Sequence, residues 1–124
     1  MRSLSLLLLG FLYLLSVSIT VAALVEPYVW YEYQTISGEL YFGQSHHYYK
    51  EPYAISVRID AVEPSGAKLR VAIYVNYVEK WFGYLGSGES SPTIVCEDQE
   101  TIVDICNNTQ GYIEYIGLIT WVMH

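Results

Sequence analysis

Tyr53-Ala-Ile-Ser-Val-Arg-Ile-Asp60 and Lys68-Leu-Arg-Val-Ala-Ile-Tyr-Val-Asn-Tyr77 decide how this chain reads. In the first, Ile55, Val57 and Ile59 alternate with Ser56, Arg58 and Asp60; in the second, Leu69, Val71, Ile73 and Val75 take every other position. A period of two sends alternate side chains to opposite faces of a pleated strand, so each segment offers one face to a core. Between them, Glu63-Pro64-Ser65-Gly66 joins a residue with a preset φ to one that accepts positive φ. That is turn chemistry, and it predicts a β-hairpin.

Working outward, Tyr28–Ile36 reads as a first strand opened by Pro27, Ser37-Gly38 as a turn, and Glu39–Phe42 as a short second strand. Residues 43–52 show no period. Glu79–Phe82 suggests a short strand, and Gly83–Pro92, rich in Gly and Ser, a loop. Thr93–Cys96 and Glu100–Cys106 read as strands, Asn107–Gly111 as a turn. Tyr112–Met123 is apolar on both faces, which suits a central or doubly covered strand. About seven short strands with a turn every 8–12 residues predict an all-β chain, a single antiparallel β-sandwich of Greek-key/jelly-roll or Ig-like type.

The N-terminus carries a different signal. Met1-Arg2 is followed by an almost unbroken apolar block, Leu4–Leu15, and then by Val21-Ala22-Ala23, small residues suited to signal peptidase. Residues 1–23 therefore read as a hydrophobic signal helix and 24–124 as an exported domain. The rival reading is an uncleaved single-pass anchor over 4–25, since Leu4–Val25 contains no charge and about 20 apolar residues span a bilayer. In both readings the domain lies at the cell exterior, and a membrane is a partner only if the segment is retained.

Thirteen acidic residues against six basic ones give a net charge of −7, and loss of Arg2 with a leader would deepen it. Such a surface repels phosphate backbones and offers no basic patch to anionic lipid, so nucleic acid is not an expected partner. Thirteen tyrosines fit half-buried sheet faces, or a stacking surface for a protein or glycan partner. The aromatics nominated for such a surface are Trp30, Tyr48, Tyr49, Trp81 and Tyr84.

Two cysteines in an exported chain imply pairing, here a Cys96–Cys106 disulfide closing a small loop. Asn107-Asn108-Thr109 matches the N-glycosylation sequon, with Asn107 as acceptor. His46-His47 is the nearest approach to a metal site, but neighbours on a strand diverge, so no metal and no cofactor is expected. Ser45 beside His46 lacks a nucleophile elbow. The glycine-rich stretch Gly83–Ser91 lacks the Lys and following helix of a phosphate loop, and it carries Glu89. Glu97-Asp98-Gln99-Glu100 lacks the alternation of a calcium loop.

With no catalytic constellation, the expected function is a non-enzymatic structural, surface or adhesion role at the cell exterior. One version is self-assembly by strand exchange through Tyr28–Ile36; the alternatives are a carbohydrate-binding module and a membrane-tethered cell-surface or viral protein.

Overall fold

A computed structural model describes residues 28–109 and 111–124; both the signal-peptide and the anchor readings fall on residues outside these. Nine strands follow in order: β1 (Trp30–Tyr41), β2 (Ser45–Lys50), β3 (Ala54–Glu63), β4 (Leu69–Val75), β5 (Val78–Leu85), β6 (Glu89–Ser90), β7 (Ile94–Val95), β8 (Thr101–Cys106) and β9 (Tyr112–Met123). They form two antiparallel sheets. One runs β1-β9-β3-β6, with β7 also on β3; the other runs β2-β8-β4-β5. Every connection except β4–β5 and β6–β7 passes from one sheet to the other, which is the wrapping of a jelly roll.

The core lies between the sheets. Ile55, Val57 and Ile59 of β3 face Leu69, Val71 and Ile73 of β4, all essentially inaccessible. Each such side chain contributes about 1.5–3 kcal/mol on burial. In β3 the register shifts between Ile59 and Ala61, a bulge that returns Val62 to the core after a three-residue step. Trp121 of β9 is fully buried, and its indole N–H donates to Gln34 Oε1 at 2.9 Å, so its polar tip is satisfied.

The strand-period reading of residues 53–60 and 68–77 holds as far as Val75, where β4 ends, but the expected hairpin between them does not. β3 pairs with β9, whereas β4 pairs with β5 and β8. Alternation fixes which face is buried and says nothing about whether two strands share a sheet or face each other. The turn at Pro64 carries the chain across the core. The true hairpin is β4–β5, closed by Asn76 and Tyr77, both at positive φ (51° and 65°), as a two-residue turn of matching twist requires.

Ser37-Gly38 is no turn either. β1 runs unbroken through it and pairs with β9 at all twelve positions. The glycine is there for space: a Cβ at Gly38 would collide with the His46 ring. Two further strands lie where none was expected, β2 within residues 43–52 and β6 at Glu89–Ser90.

Candidate functional site

Strand alternation divides the nominated residues. On β2, His46 and Tyr48 point inward while His47 and Tyr49 point out, so the histidines address opposite sides of their sheet. His46 Nδ1 lies 2.7 Å from the Tyr115 hydroxyl, which is 3.0 Å from that of Tyr48. Burial, reinforced by the Tyr48 hydroxyl, pushes the Tyr115 phenol far above the usual tyrosine range. This inward network is a satisfied strut beneath Gly38. On the other face, His47 Nε2 lies 3.3 Å from Asp104 Oδ1 but is not aligned to donate, and that buried oxygen has no hydrogen-bond partner. Among the described residues, no group of three or more His, Cys, Asp or Glu side chains is placed to hold a metal ion.

The expected disulfide is corrected. Cys96 and Cys106 are both free thiols. Cys96 is buried beside Thr101, at the start of β8, and burial raises its thiol pKa. Cys106 closes β8 at the other end, on the outer face. The five steps of extended chain from Thr101 to Cys106 span about 17 Å, against the roughly 4.4–6.8 Å between Cα atoms that a bridge needs. Ten residues of separation in sequence look close only until the strand between them is extended.

The sequon is likewise absorbed into the fold. Asn107 is 0 % exposed. Its Nδ2 donates to the carbonyls of Leu40 (2.9 Å) and Gly111 (3.2 Å), while Oδ1 accepts from the Thr109 N–H and hydroxyl. The nitrogen that would carry a glycan is enclosed and occupied, so a glycan and this folded corner exclude each other. Asn and Thr at that spacing tie together the end of β1, the end of β8 and the start of β9.

The nominated aromatics do not share a surface. Trp81 packs against the core and Tyr48 faces inward. Tyr49 and Tyr84 lie on the outer face of the second sheet, on strands at its opposite edges, and Trp30 opens β1 in the first sheet. Trp30 stacks on the exposed Tyr28, with centroids 5.7 Å apart. A second exposed ring pair, outside the nominated set, is Tyr31 and Tyr33 on the outer face of β1, with centroids 6.4 Å apart and planes within 19°. One face of each ring is turned toward the other, and both rings stay more than half exposed.

Two features of the first sheet were invisible in the sequence. Glu39, Glu114 and Glu63 stand abreast on β1, β9 and β3, a row of three carboxylates on the outer face. They line an open groove of about 290 Å³ together with Ser37, Ala61 and Ile116. Like charges directly opposite weaken a sheet, and here Glu114 gains help by accepting the Tyr112 hydroxyl at 2.7 Å, with Glu39 near the same phenol.

The second feature is the edge of β1, which no described strand covers. Phe42 N–H donates to Gly111 carbonyl at 3.0 Å, continuing the β1–β9 ladder. Antiparallel bonding alternates, so even-numbered residues of β1 exchange bonds with β9, and the odd ones aim theirs outward. Tyr41 N–H is capped by Gln44 Oε1 at 2.8 Å. The N–H and C=O groups of Tyr31, Tyr33, Thr35, Ser37 and Glu39 point off the sheet. β1 contains no Lys and no Pro, and its register with β9 has no bulge, three of the devices that blunt an edge.

No family model matches the chain, and no curated protein matches it. Among solved structures, it is similar to a chain from Bacillus endospore appendages, described as forming a novel family of disulfide-linked pili. Identity is 10 %, TM-score 0.47, and coverage 77 % of this chain and 89 % of that one. No residue's role passes from that protein to this one.

Proposed function

We propose that this chain is a small exported β-sandwich protein with a structural or interaction role at the cell exterior, acting through its sheet edges and outer faces and not by catalysis. The observation that carries this reading is the β1 edge, a twelve-residue strand with outward-facing backbone groups and an exposed tyrosine surface. An edge of that length left bare is a template for another strand. The inward His46–Tyr115–Tyr48 network and the Asn107 corner, by contrast, spend their polar groups on the fold. The segment Tyr28–Ile36, considered for donation to a neighbour, lies largely in β1 and completes its own sheet.

Export rests on residues 1–23. Intact-mass measurement and N-terminal sequencing of the product from a fractionated culture test it. The expected result is a chain beginning after Ala23 outside the cell. A retained N-terminus in the membrane fraction indicates the anchored form, and the intact polypeptide in the cytoplasm overturns the reading.

A further inference from the structure

We infer that the β1 edge is a self-recognition surface, and that two copies of this chain join by antiparallel pairing of β1 with β1 about a two-fold axis near Thr35–Ser37. The inference rests on the surface role proposed above and names its partner. A second copy is the occupant because of length, charge and pleat taken together.

Length comes first. The other sheet edges are mismatched to β1: β2 has six residues, β5 has eight, and β6 and β7 have two each, separated by a stretch containing Pro92. Among the edges of the described residues, only another β1 offers a complementary row as long. β5 also pairs through a register shift, and its exposed Lys80 is of the kind that guards an edge.

Pleat and charge come next. Side chains on one face must meet side chains on the same face, so only registers pairing odd with odd residues keep the core-facing set aligned. Two such registers centre the strands. One sets Thr35 opposite Thr35 of the second copy, and the other sets Thr35 opposite its Ser37. In the first, Glu39 faces a tyrosine, Tyr31; in the second it faces Tyr33. In neither does a carboxylate meet a carboxylate. Tyrosine hydroxyls already donate to glutamates on these outer faces, at Tyr49–Glu51 (2.9 Å) and Tyr112–Glu114 (2.7 Å). Glu32, the other acid of β1, is held by Lys50 Nζ at 2.8 Å and lowered in pKa by it. Pairing therefore joins two acidic chains along a line where their acids are answered.

Sedimentation velocity and amide hydrogen exchange on the exported protein test this. The expected result is a concentration-dependent dimer, with slowed exchange at Tyr31, Tyr33, Thr35, Ser37 and Glu39, amides that no described strand of a single copy pairs. Thr35→Pro removes one outward N–H without touching the β1–β9 ladder, a place where sheets tolerate proline. It should shift the dimer dissociation constant upward by tenfold or more while leaving the near-UV circular dichroism unchanged. If Thr35→Pro fails to fold, wild-type exchange at the five amides decides the matter alone. A monomer at every concentration, a dimer without protection at those amides, or open-ended filaments would each overturn the proposal. An exported monomer would leave the surface role standing, and a β1-paired dimer confined to the cytoplasm would leave the pairing standing without it.

Discussion

The first sheet has two sides, and they are finished differently. Beyond β3, the backbone is closed off piecemeal. Glu89–Ser90 and Ile94–Val95 each add two residues, Val57 N–H donates to Ser91 Oγ at 2.9 Å, and Val62 N–H donates to Ser87 Oγ at 3.1 Å. The Ser91 and Gly88 N–H groups return bonds to the carbonyls of Val57 and Ile59. Serine hydroxyls and a proline-interrupted segment have replaced a continuous strand, leaving nothing long enough to recruit one. Beyond β1, among the described residues, such capping is confined to the Tyr41 N–H, held by Gln44 Oε1 at 2.8 Å. The contrast teaches that an open edge here is not the default outcome of this fold, since the same sheet shows how it is capped.

The largest expected effect is at the corner that holds the end of β1. Asn107→Ala removes four side-chain hydrogen bonds centred on a fully buried amide and should cost about 2–3 kcal/mol, read from denaturant unfolding. Expression in a glycosylating host should yield a folded fraction whose mass shows no glycan; a glycosylated fraction with native circular dichroism would sink the corner's assignment. Next comes the capped side. Ser91→Ala leaves Val57 N–H unpaired and should cost about 1–2 kcal/mol, with faster exchange at Val57; no loss would mean the cap is ornamental.

Ser87→Ala, on a more exposed serine with a longer bond, should cost roughly 0.5–1 kcal/mol. If it exceeded Ser91→Ala, the ordering of the two caps would be wrong. The smallest effect should have the opposite sign. Glu114→Gln removes the middle charge of the Glu39–Glu114–Glu63 row and should raise stability by a few tenths of a kcal/mol. A loss instead would show that the Tyr112 hydrogen bond outweighs the repulsion.

Much of the fold was legible in the residues, and the failures share a cause. Ile55-Val57-Ile59 and Leu69-Val71-Ile73-Val75 announce strands with one buried face because period two is a local property of the chain. Tyr112–Met123 announces a central strand by carrying apolar residues on both faces, and it lies between β1 and β3. Gly38 misled because a glycine that makes room for the His46 ring is indistinguishable, in one dimension, from a glycine that turns. The Asn107 triplet is ambiguous in the same way: a buried hydrogen-bonding corner and a glycan acceptor are spelled alike.

Sequence alone determined the strand-rich composition, the alternation that commits each face, the acidic balance and the apolar head that predicts export. These depend on neighbours a few residues apart. Tertiary structure decided which strands share a sheet, that Cys96 and Cys106 lie at opposite ends of β8, that three glutamates stand abreast, and which edge is left bare. Each of those is a matter of register between segments remote in the chain. Register is set by how two faces pack around a common core, so no single segment contains it.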